Sequence, residues 1–257
     1  MSKHTGIHTG HHALVTGGGT GIGEGIALAL AKAGAKVTIT GRRLEALEAT
    51  AAKSDNIYPL VMDVSDEASV VNATAQAIKE RGVIDIHVAN AGIAETSAFA
   101  KTPLDFWRKI MTTNLDGVFL TCREVVPGML DKGWGRIIVI SSIAGLKGLK
   151  YGAAYSASKH GVIGLTRVLS EEYMFKGITT NAICPGYVRT PIVDRNTDLI
   201  SSRSGISKEE AEATMSSSNR HKRLVEIEEV ATAAMWLCDP NSGSINGQAI
   251  EISGGQV

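Results

Sequence analysis

Residues 13–23 of the 257-residue chain read ALVTGGGTGIG, the strongest single indication of its fold. A short apolar run passes into a glycine-rich turn, and a helical pattern begins directly after it. Glycines let the backbone turn sharply and approach a pyrophosphate with no Cβ in the way, while the helix N-terminus offers free N–H groups to the anion. The spacing Gly17-x3-Gly21-x-Gly23 between a strand and a helix therefore predicts a dinucleotide site. Its expected contacts are Gly17, Thr20, Gly21, Ile22 and Gly23.

Outward from this turn, short apolar runs alternate with longer helical patterns along the whole chain. The expected strands are His12–Gly17, Lys36–Thr40, Ile57–Val61, Ile84–Ala89, Arg136–Ser142, Ile178–Cys184 and Gln248–Ile252. The expected helices are Gly21–Ala33, Leu44–Ala52, Glu67–Glu80, Leu104–Met129, Ala153–Phe175 and Ile227–Cys238. Most of these strands are bare apolar runs without polar alternation, which is typical of a parallel sheet buried on both faces.

This order predicts an α/β fold: a single-domain Rossmann fold over residues 1–257, with a doubly wound seven-stranded parallel sheet and helices on both faces. A (β/α)8 barrel is the alternative at this length, but the pattern supplies seven strands rather than eight. Pro185–Ser207 has no helical or strand period, and a short helical pattern at Lys208–Met215 and a polar segment at Ser216–Lys222 follow it. We expect a substrate lid at about 191–222, with a flexible surface insertion as the alternative.

Composition and charge narrow the classes of function. Lys+Arg and Asp+Glu are both 26, so the net charge is zero, and we expect neither a nucleic-acid partner nor a polybasic membrane contact. Cys122, Cys184 and Cys238 are odd in number and far apart, which argues against a disulfide framework and favours a cytoplasmic location. Four histidines within the first twelve residues are read as a polar N-terminal arm or a tag-like remnant, and no metal site is expected.

The residues after the second expected strand bear on the choice of dinucleotide. An NAD site has a carboxylate about 20 residues beyond the glycines, but this chain has Gly41-Arg42-Arg43. A charge-assisted hydrogen bond contributes about 1.5–3 kcal/mol, so Arg42 and Arg43 on a 2′-phosphate favour NADP, with NAD as the alternative. The arginines can also be read as the solvated start of a helix, paired with Glu45 and Glu48.

A serine, a tyrosine and a lysine point to acid–base chemistry. The fifth expected strand ends at Ser142, and Tyr155 and Lys159 follow at a spacing that puts both on one helix face. Lowering the pKa of a tyrosine from ~10 to ~7 requires about 4 kcal/mol. One ammonium 6 Å away supplies about 3 kcal/mol, but only where the effective dielectric constant is about 20. The pair therefore predicts an acid–base group in a pocket from which water is partly excluded. The positive charge of an oxidised nicotinamide would add to the shift.

With these motifs the chain resembles the short-chain dehydrogenase/reductase family over essentially its whole length. The family's motifs match Thr16–Gly23, Asp63-Val64, Asn90-Ala91-Gly92, Asn114, Ser142, Tyr155, Lys159, Pro185-Gly186 and Thr190. The chain departs from the pattern at Ala89, where the family usually has a second asparagine. The resemblance implies a Rossmann fold, NAD(P)(H) and a homotetramer. It also implies cofactor contacts from Asp63, Val64, Asn90, Gly92, Tyr155, Lys159, Pro185, Gly186, Val188 and Thr190.

In such an enzyme, a hydride passes between the nicotinamide and a ketone or secondary alcohol, with Tyr155 as the general acid–base. The implied roles of its partners are substrate binding for Ser142, binding of the nicotinamide ribose for Lys159, and anchoring of a water for Asn114. A 3-oxoacyl-carrier-protein reductase would dock its carrier on basic residues such as Lys132, Arg136 and Lys176. A hydroxy-acid dehydrogenase would need a cation such as Lys147, Lys150, Arg189 or Arg195. Outside the family, a non-catalytic dinucleotide-binding protein is the alternative.

Overall fold

Seven strands form the centre of the computed structural model, which describes residues 6–256. They are β1 (His12–Thr16), β2 (Lys36–Gly41), β3 (Ile57–Val61), β4 (Ile86–Ala89), β5 (Gly135–Ile140), β6 (Ile178–Pro185) and β7 (Ala249–Ile252). All neighbouring pairs are parallel, and the sheet runs in the order β3-β2-β1-β4-β5-β6-β7. The order changes direction between β1 and β4, and ligands bind at such a switch point in open α/β sheets.

Nine helices of at least eight residues surround this sheet within residues 6–256. They are α1 (Gly21–Lys32), α2 (Leu44–Ala51), α3 (Glu67–Arg81), α4 (Leu104–Met111), α5 (Gly117–Lys132), α6 (Ala153–Tyr173), α7 (Pro191–Ser204), α8 (Lys208–Ser216) and α9 (Ile227–Cys238). One core cluster joins the sheet to α1 and α9 through residues such as Leu30 and Leu237. A second joins it to α5 and α6 through residues such as Val125 and Val162. The doubly wound Rossmann fold is thus confirmed, and the open sheet with edges at β3 and β7 rules out the barrel.

One predicted helix is divided in the structure. Leu104–Met129 was expected as a single helix, but α4 and α5 are separated by a π-helical turn at Thr112–Asp116. Single π turns inside helices often occur at functional sites, and no periodicity in the sequence signals them. The turn places Asn114 in the interior, where it is fully buried.

The expectation of an irregular Pro185–Ser207 segment is wrong, because α7 occupies most of it. A proline at the first position suits a helix start, and Val193 is buried in a small cluster with Met215 and Leu224. Helices this short and polar are stabilised by tertiary packing rather than by their own periodicity. The expected helix at Lys208–Met215 is confirmed as α8 and begins with a capping box between Ser207 and Glu210.

Residues 6–12 pack against the rest of the described chain. His8 is fully buried, its N–H donates to the carbonyl oxygen of Ala33 at 3.0 Å, and the ring of His11 lies 4.5 Å from that of Trp134. The tag-like interpretation is therefore wrong for residues 6–12, while His4 lies outside the described residues. Within residues 6–256, no three His, Cys, Asp or Glu side chains are grouped as metal ligands. No helix in the same part of the chain is long and apolar enough to cross a membrane.

Candidate active site

The carboxyl ends of β1, β4, β5 and β6 surround a cavity of about 240 Å³ at the switch point. Most of the predicted site residues line it: Gly17, Thr20, Gly21, Ile22, Asn90, Gly92, Ser142, Tyr155, Lys159, Pro185, Gly186 and Thr190. Residues from segments more than 160 positions apart therefore share one concave site.

The glycine-rich turn forms one wall of this cavity. Gly17 and Gly21 have φ angles of +66° and +61°, in the left-handed region that favours glycine. A Cβ at Gly23 would lie 2.4 Å from the carbonyl oxygen of Gly17, so the turn can close only without a side chain there. In the described chain, the hydroxyl of Thr20 makes no capping bond to α1. Such a helix start is suited to binding an anion through its free N–H groups.

Asn90 ties this turn to the end of β4. Its Nδ2 donates to the carbonyl oxygens of Thr16 at 2.9 Å and Gly17 at 3.2 Å. The hydroxyl of Thr16 in turn accepts the backbone N–H groups of Asn90 and Ala91, both at 3.0 Å. Ala89, the residue that departs from the family pattern, is buried in the core beside this network. Asn90 thus positions the predicted pyrophosphate turn through its side chain.

Ser142, Tyr155 and Lys159 meet on the opposite side of the cavity. The Oγ of Ser142 accepts the N–H of Ala144 at 3.1 Å, which directs this side chain at the end of β5. Tyr155 and Lys159 lie one turn apart on α6, and the Nζ of Lys159 is 5.8 Å from the centroid of the Tyr155 ring. The same Nζ donates to the carbonyl oxygen of Ile140 at 2.8 Å. The predicted grouping of these three side chains is what the structure shows.

Burial controls the protonation of this group. It raises the pKa of Tyr155, and a hydrogen bond with Ser142 acts in the opposite, lowering direction. It also lowers the pKa of Lys159 to about 8. The protein's own groups therefore keep the phenol of Tyr155 protonated at neutral pH. The lowering of its pKa that the sequence suggests requires a positive charge in addition to that of Lys159.

Asn114 lies beside Ser158 and Lys159, where three hydrogen bonds hold its side chain. Its Oδ1 accepts the N–H of Ile93 at 2.8 Å, and its Nδ2 donates to the carbonyl oxygen of Ile93 at 2.9 Å and to Ser158 Oγ at 3.2 Å. Ser158 Oγ in turn donates to the carbonyl oxygen of Tyr155 at 2.7 Å. Ser158 was not singled out in the sequence analysis, although this residue lies between Tyr155 and Lys159. Asn114 therefore connects the loop after β4 to α6.

Asn219 is a second residue that the sequence reasoning missed. It is fully buried, its Oδ1 accepts the N–H of Tyr187 at 3.0 Å, and its Nδ2 donates to the carbonyl oxygens of Tyr187 at 2.9 Å and Arg223 at 2.7 Å. A Cβ at Gly186 would lie 2.2 Å from Asn219 Oδ1. These contacts hold the segment after β6. Nothing in the polar stretch around Asn219 signals the role in advance.

The rest of that segment places Val188 and Thr190. Val188 is buried and bridges to Val225, while Thr190 precedes α7 and donates from its hydroxyl to the carbonyl oxygen of Val188 at 3.2 Å. A Cβ at Gly21 would lie 3.3 Å from Thr190 Cγ2. Thr190 therefore lies directly beside Gly21 of the glycine-rich turn, whereas Val188 anchors the segment behind it.

The residues predicted for the adenosine end lie outside this cavity. Asp63 Oδ1 accepts the N–H and the hydroxyl of Ser65 at 2.9 and 2.6 Å. Burial acts to raise the pKa of Asp63, but these bonds and the charge of Arg42 outweigh it and hold the pKa below its usual range. Val64 is buried below them, and Arg42 lines a neighbouring recess of about 490 Å³. Arg43 precedes α2 and is not among the residues that line this recess.

The arrangement fits a nicotinamide dinucleotide. At Gly92, an added Cβ would lie 3.2 Å from Asn114 Oδ1 and 3.7 Å from Lys159 Nζ, so the missing side chain keeps the space beside the ammonium open. The start of α1 faces the same space, and Ile93 lines both the cavity and the recess beside Arg42. An elongated ligand with a central anion therefore has two adjoining recesses, with a helix N-terminus on the wall of the first.

The basic residues considered for a carrier protein are not at this site. Lys132 and Arg136 lie at the start of β5, and Lys176 lies just before β6. All three are therefore at the amino-terminal ends of the strands, opposite the carboxyl ends that surround the cavity. Arg136 is buried with its guanidinium 4.6 Å from the Trp134 ring, and Lys132 pairs with Asp85 at 2.6 Å. That docking hypothesis is therefore wrong for these residues.

The candidate carboxylate-binding cations divide in a similar way. Arg189 pairs with Glu212 at 3.2 Å and Glu226 at 3.3 Å, and Arg195 donates to the carbonyl oxygen of Pro191 at 3.2 Å. Lys147 and Lys150 lie in the segment between β5 and α6, at the carboxyl edge of the sheet. Lys147, Lys150 and Arg195 form no ion pair within residues 6–256, and of these the two lysines lie nearest in sequence to Tyr155.

Known proteins match the chain over most of its length. The short chain dehydrogenase family matches residues 11–199, which include the glycine-rich turn and the Tyr155–Lys159 pair. Acetoacetyl-CoA reductase of Rhizobium meliloti (strain 1021) is 38% identical over 248 residues, covering 95% of this chain and 97% of that protein. D-beta-hydroxybutyrate dehydrogenase of the same strain is 34% identical over 250 residues, covering 95% and 97%. A variant of actinorhodin polyketide ketoreductase, in a crystal structure with NADPH, has a TM-score of 0.93 and 35% identity, covering 97% of this chain and 98% of that one.

Proposed function

Because the chain belongs to the short-chain dehydrogenase family and is an oxidoreductase of ketone and CH–OH groups, we propose that it interconverts a 3-oxoacyl compound and its secondary alcohol with NADP(H). Tyr155 is the general acid–base of this reaction. The observation that carries the proposal is that Ser142, Tyr155 and Lys159 face the glycine-rich turn across one cavity.

The roles of these side chains follow from their positions. The bound nicotinamide supplies or accepts the hydride. Ser142 donates a hydrogen bond to the substrate carbonyl oxygen, and Tyr155 gives its proton to that oxygen as negative charge develops on it. In the direction of oxidation, Tyr155 takes the proton back.

Lys159 and Asn114 support the proton transfer. With a pKa of about 8, Lys159 carries a positive charge at neutral pH and stabilises the phenolate that Tyr155 becomes. Asn114 holds Ile93 and Ser158, and its Oδ1 lies on the same side of Gly92 as the ammonium. We assign to Asn114 the anchoring of a water that returns protons from solvent to Lys159.

Tyr155→Phe tests the mechanism. A positioned acid–base group contributes about 10²–10⁴-fold, so the variant should lose at least about a hundredfold in kcat. Its affinity for NADPH, measured by fluorescence titration, should stay within about twofold because the ring and the rest of the cavity remain. Tyr151→Phe is the matched control, since Tyr151 is 56% exposed and does not line the cavity. More than about a tenth of the wild-type kcat in Tyr155→Phe contradicts the assignment.

The substrate class is supported by the relatives and by two cations. The names of the two curated relatives describe action on a 3-oxoacyl thioester and on a 3-hydroxy acid. Lys147 and Lys150, at the carboxyl edge of the sheet, suit an anionic tail of either compound. A panel of acetoacetyl thioesters, free 3-oxo acids and neutral ketones separates the alternatives by kcat/KM. Binding of NADPH without turnover of any compound would favour a non-catalytic dinucleotide-binding protein.

The preference for NADP over NAD rests on Arg42. This arginine follows β2 at the edge of the recess beside Asp63, where the predicted adenosine end is placed. The crystal structure of the actinorhodin polyketide ketoreductase variant contains NADPH. The aspartate or glutamate expected of an NAD site is absent from residues 41–43.

The assembly and compartment remain predictions. Exposed apolar side chains on α5, α6 and α9, among them Phe119, Val168 and Trp236, are consistent with the homotetramer that the family implies. Light scattering at micromolar concentration measures the assembly. The three free, buried cysteines are consistent with the cytoplasm.

A further inference from the structure

A second recess of about 490 Å³ adjoins the catalytic cavity at the carboxyl edge of the sheet. The segments after β2, β3 and β4 supply one side of it, and α4 with the π-helical turn supplies the other. Its lining residues are Arg42, Ser65, Ile93, Leu104, Asp105, Arg108, Lys109, Thr112 and Thr113. Ile93 also lines the cavity, so the two spaces adjoin at that residue.

Three cations line the recess, and the structure separates them by their partners. Lys109 pairs with Glu95 at 2.7 Å, so its charge is already compensated. Arg42 and Arg108 make no ion pair or hydrogen bond with any residue between 6 and 256. Two guanidiniums on separate elements, neither in an ion pair with residues 6–256, thus line one recess.

The acidic groups nearby are occupied by other donors. Asp63, whose carboxylate feels the charge of Arg42, accepts both hydrogen bonds from Ser65. Asp105 lines the recess and accepts the N–H of Phe106 at 2.8 Å. Neither carboxylate forms an ion pair with Arg42 or Arg108, which leaves both guanidiniums available to an external anion.

We propose that Arg108 of α4, rather than Arg43, is the second cation that binds the 2′-phosphate of the adenosine end. This inference rests on the proposed function, in which that end of the cofactor carries a phosphate. A phosphate ester carries up to about two negative charges, and the planar fork of a guanidinium binds its oxygens bidentately. Arg43 lies at the N-terminal boundary of α2 and outside the recess, whereas Arg108 lies one turn before Thr112, which also lines it.

Binding of 2′,5′-ADP and of 5′-AMP to the full-length protein tests the proposal without turnover. Isothermal titration should show wild-type protein binding 2′,5′-ADP more tightly than 5′-AMP. Because the contact would be a partly exposed ion pair with bidentate geometry, Arg108→Gln should lower the affinity for 2′,5′-ADP by about three- to tenfold. Its affinity for 5′-AMP should stay within about twofold of the wild type. Arg42→Gln should behave in the same way, and Arg43→Gln, the matched control, should bind both ligands like the wild type.

The outcomes separate this inference from the function on which it rests. If Arg43→Gln weakens 2′,5′-ADP and Arg108→Gln does not, the assignment of Arg108 is overturned while the preference for NADP stands. An equal loss of both ligands in Arg108→Gln also overturns it, because the contact would then be to the adenosine and not to the phosphate. If the wild type does not prefer 2′,5′-ADP, the NADP proposal fails together with this one. Both arginines are exposed, so the variants should melt with the wild type.

Discussion

Asn219→Ala should remove the side chain that holds the segment after β6. The buried amide makes three hydrogen bonds, at 3.0, 2.9 and 2.7 Å, to the backbones of Tyr187 and Arg223. At about 0.5–1.5 kcal/mol for each bond, the substitution should lower the free energy of unfolding by about 2–4 kcal/mol. Pro185, Gly186 and Thr190, which the segment places in the cavity, would lose their fixed positions. We therefore expect kcat/KM to fall about tenfold, which corresponds to a loss of about 1.4 kcal/mol in transition-state binding.

Two measurements check this expectation: urea unfolding followed by circular dichroism, and kcat/KM for NADPH. Asn241→Ala is the matched control, since it removes the same amide from an exposed position. It should change the free energy of unfolding by less than about 0.5 kcal/mol. The reasoning is refuted if Asn219→Ala unfolds within about 0.5 kcal/mol of the wild type and keeps kcat/KM within about twofold.

Two further predictions concern acid stability and the glycine-rich turn. Burial lowers the pKa of His87 to about 4, so the folded state prefers the neutral ring. The stability that the neutral His87 ring contributes is complete above the unfolded pKa of about 6.5 and is lost as the pH falls toward 4. His87→Gln, which cannot charge, should therefore lose about 2 kcal/mol less unfolding free energy than the wild type between pH 7 and pH 5; equal losses on urea unfolding would count against this account. Gly23→Ala should abolish NADPH binding because its Cβ would lie 2.4 Å from the Gly17 carbonyl oxygen. Gly164→Ala in α6 is the control: its Cβ would have no atom of the described chain within 4 Å, and it should raise the unfolding free energy by up to about 1 kcal/mol. Retained NADPH affinity in Gly23→Ala would show that the turn is not the binding wall.

Much of the fold could be predicted because its signals are local. Every residue of β1, β5 and β6 is buried, so the mostly apolar expected strands correctly indicated a parallel sheet covered on both faces. The boundaries differ by one or two residues, as at β4, where the expected start at Ile84 moves to Ile86. Strand pairing, not hydropathy, decides where a strand ends.

The missed elements depend on contacts between distant segments. Helix α7 has too few apolar residues to show a period, and it packs through Val193 on residues more than twenty positions away. His8 reads as part of a polar arm, yet it is fully buried. In both cases the partner that stabilises the segment lies elsewhere in the chain.

Three features could be recognised from the amino-acid sequence alone: the glycine-rich turn, the spacing of Tyr155 and Lys159 on one helix face, and the arginines after β2. Each is a short-range pattern whose chemistry follows from residue type and spacing. The tertiary structure decided which residues hold that chemistry in place: Asn90 on the turn, Asn114 on Ile93, and Asn219 on Tyr187. It also decided that burial, acting on Tyr155 and Lys159 in opposite directions, sets their pKa values. Buried hydrogen bonds and desolvation depend on segments brought together only by folding, so no local pattern in the chain encodes them.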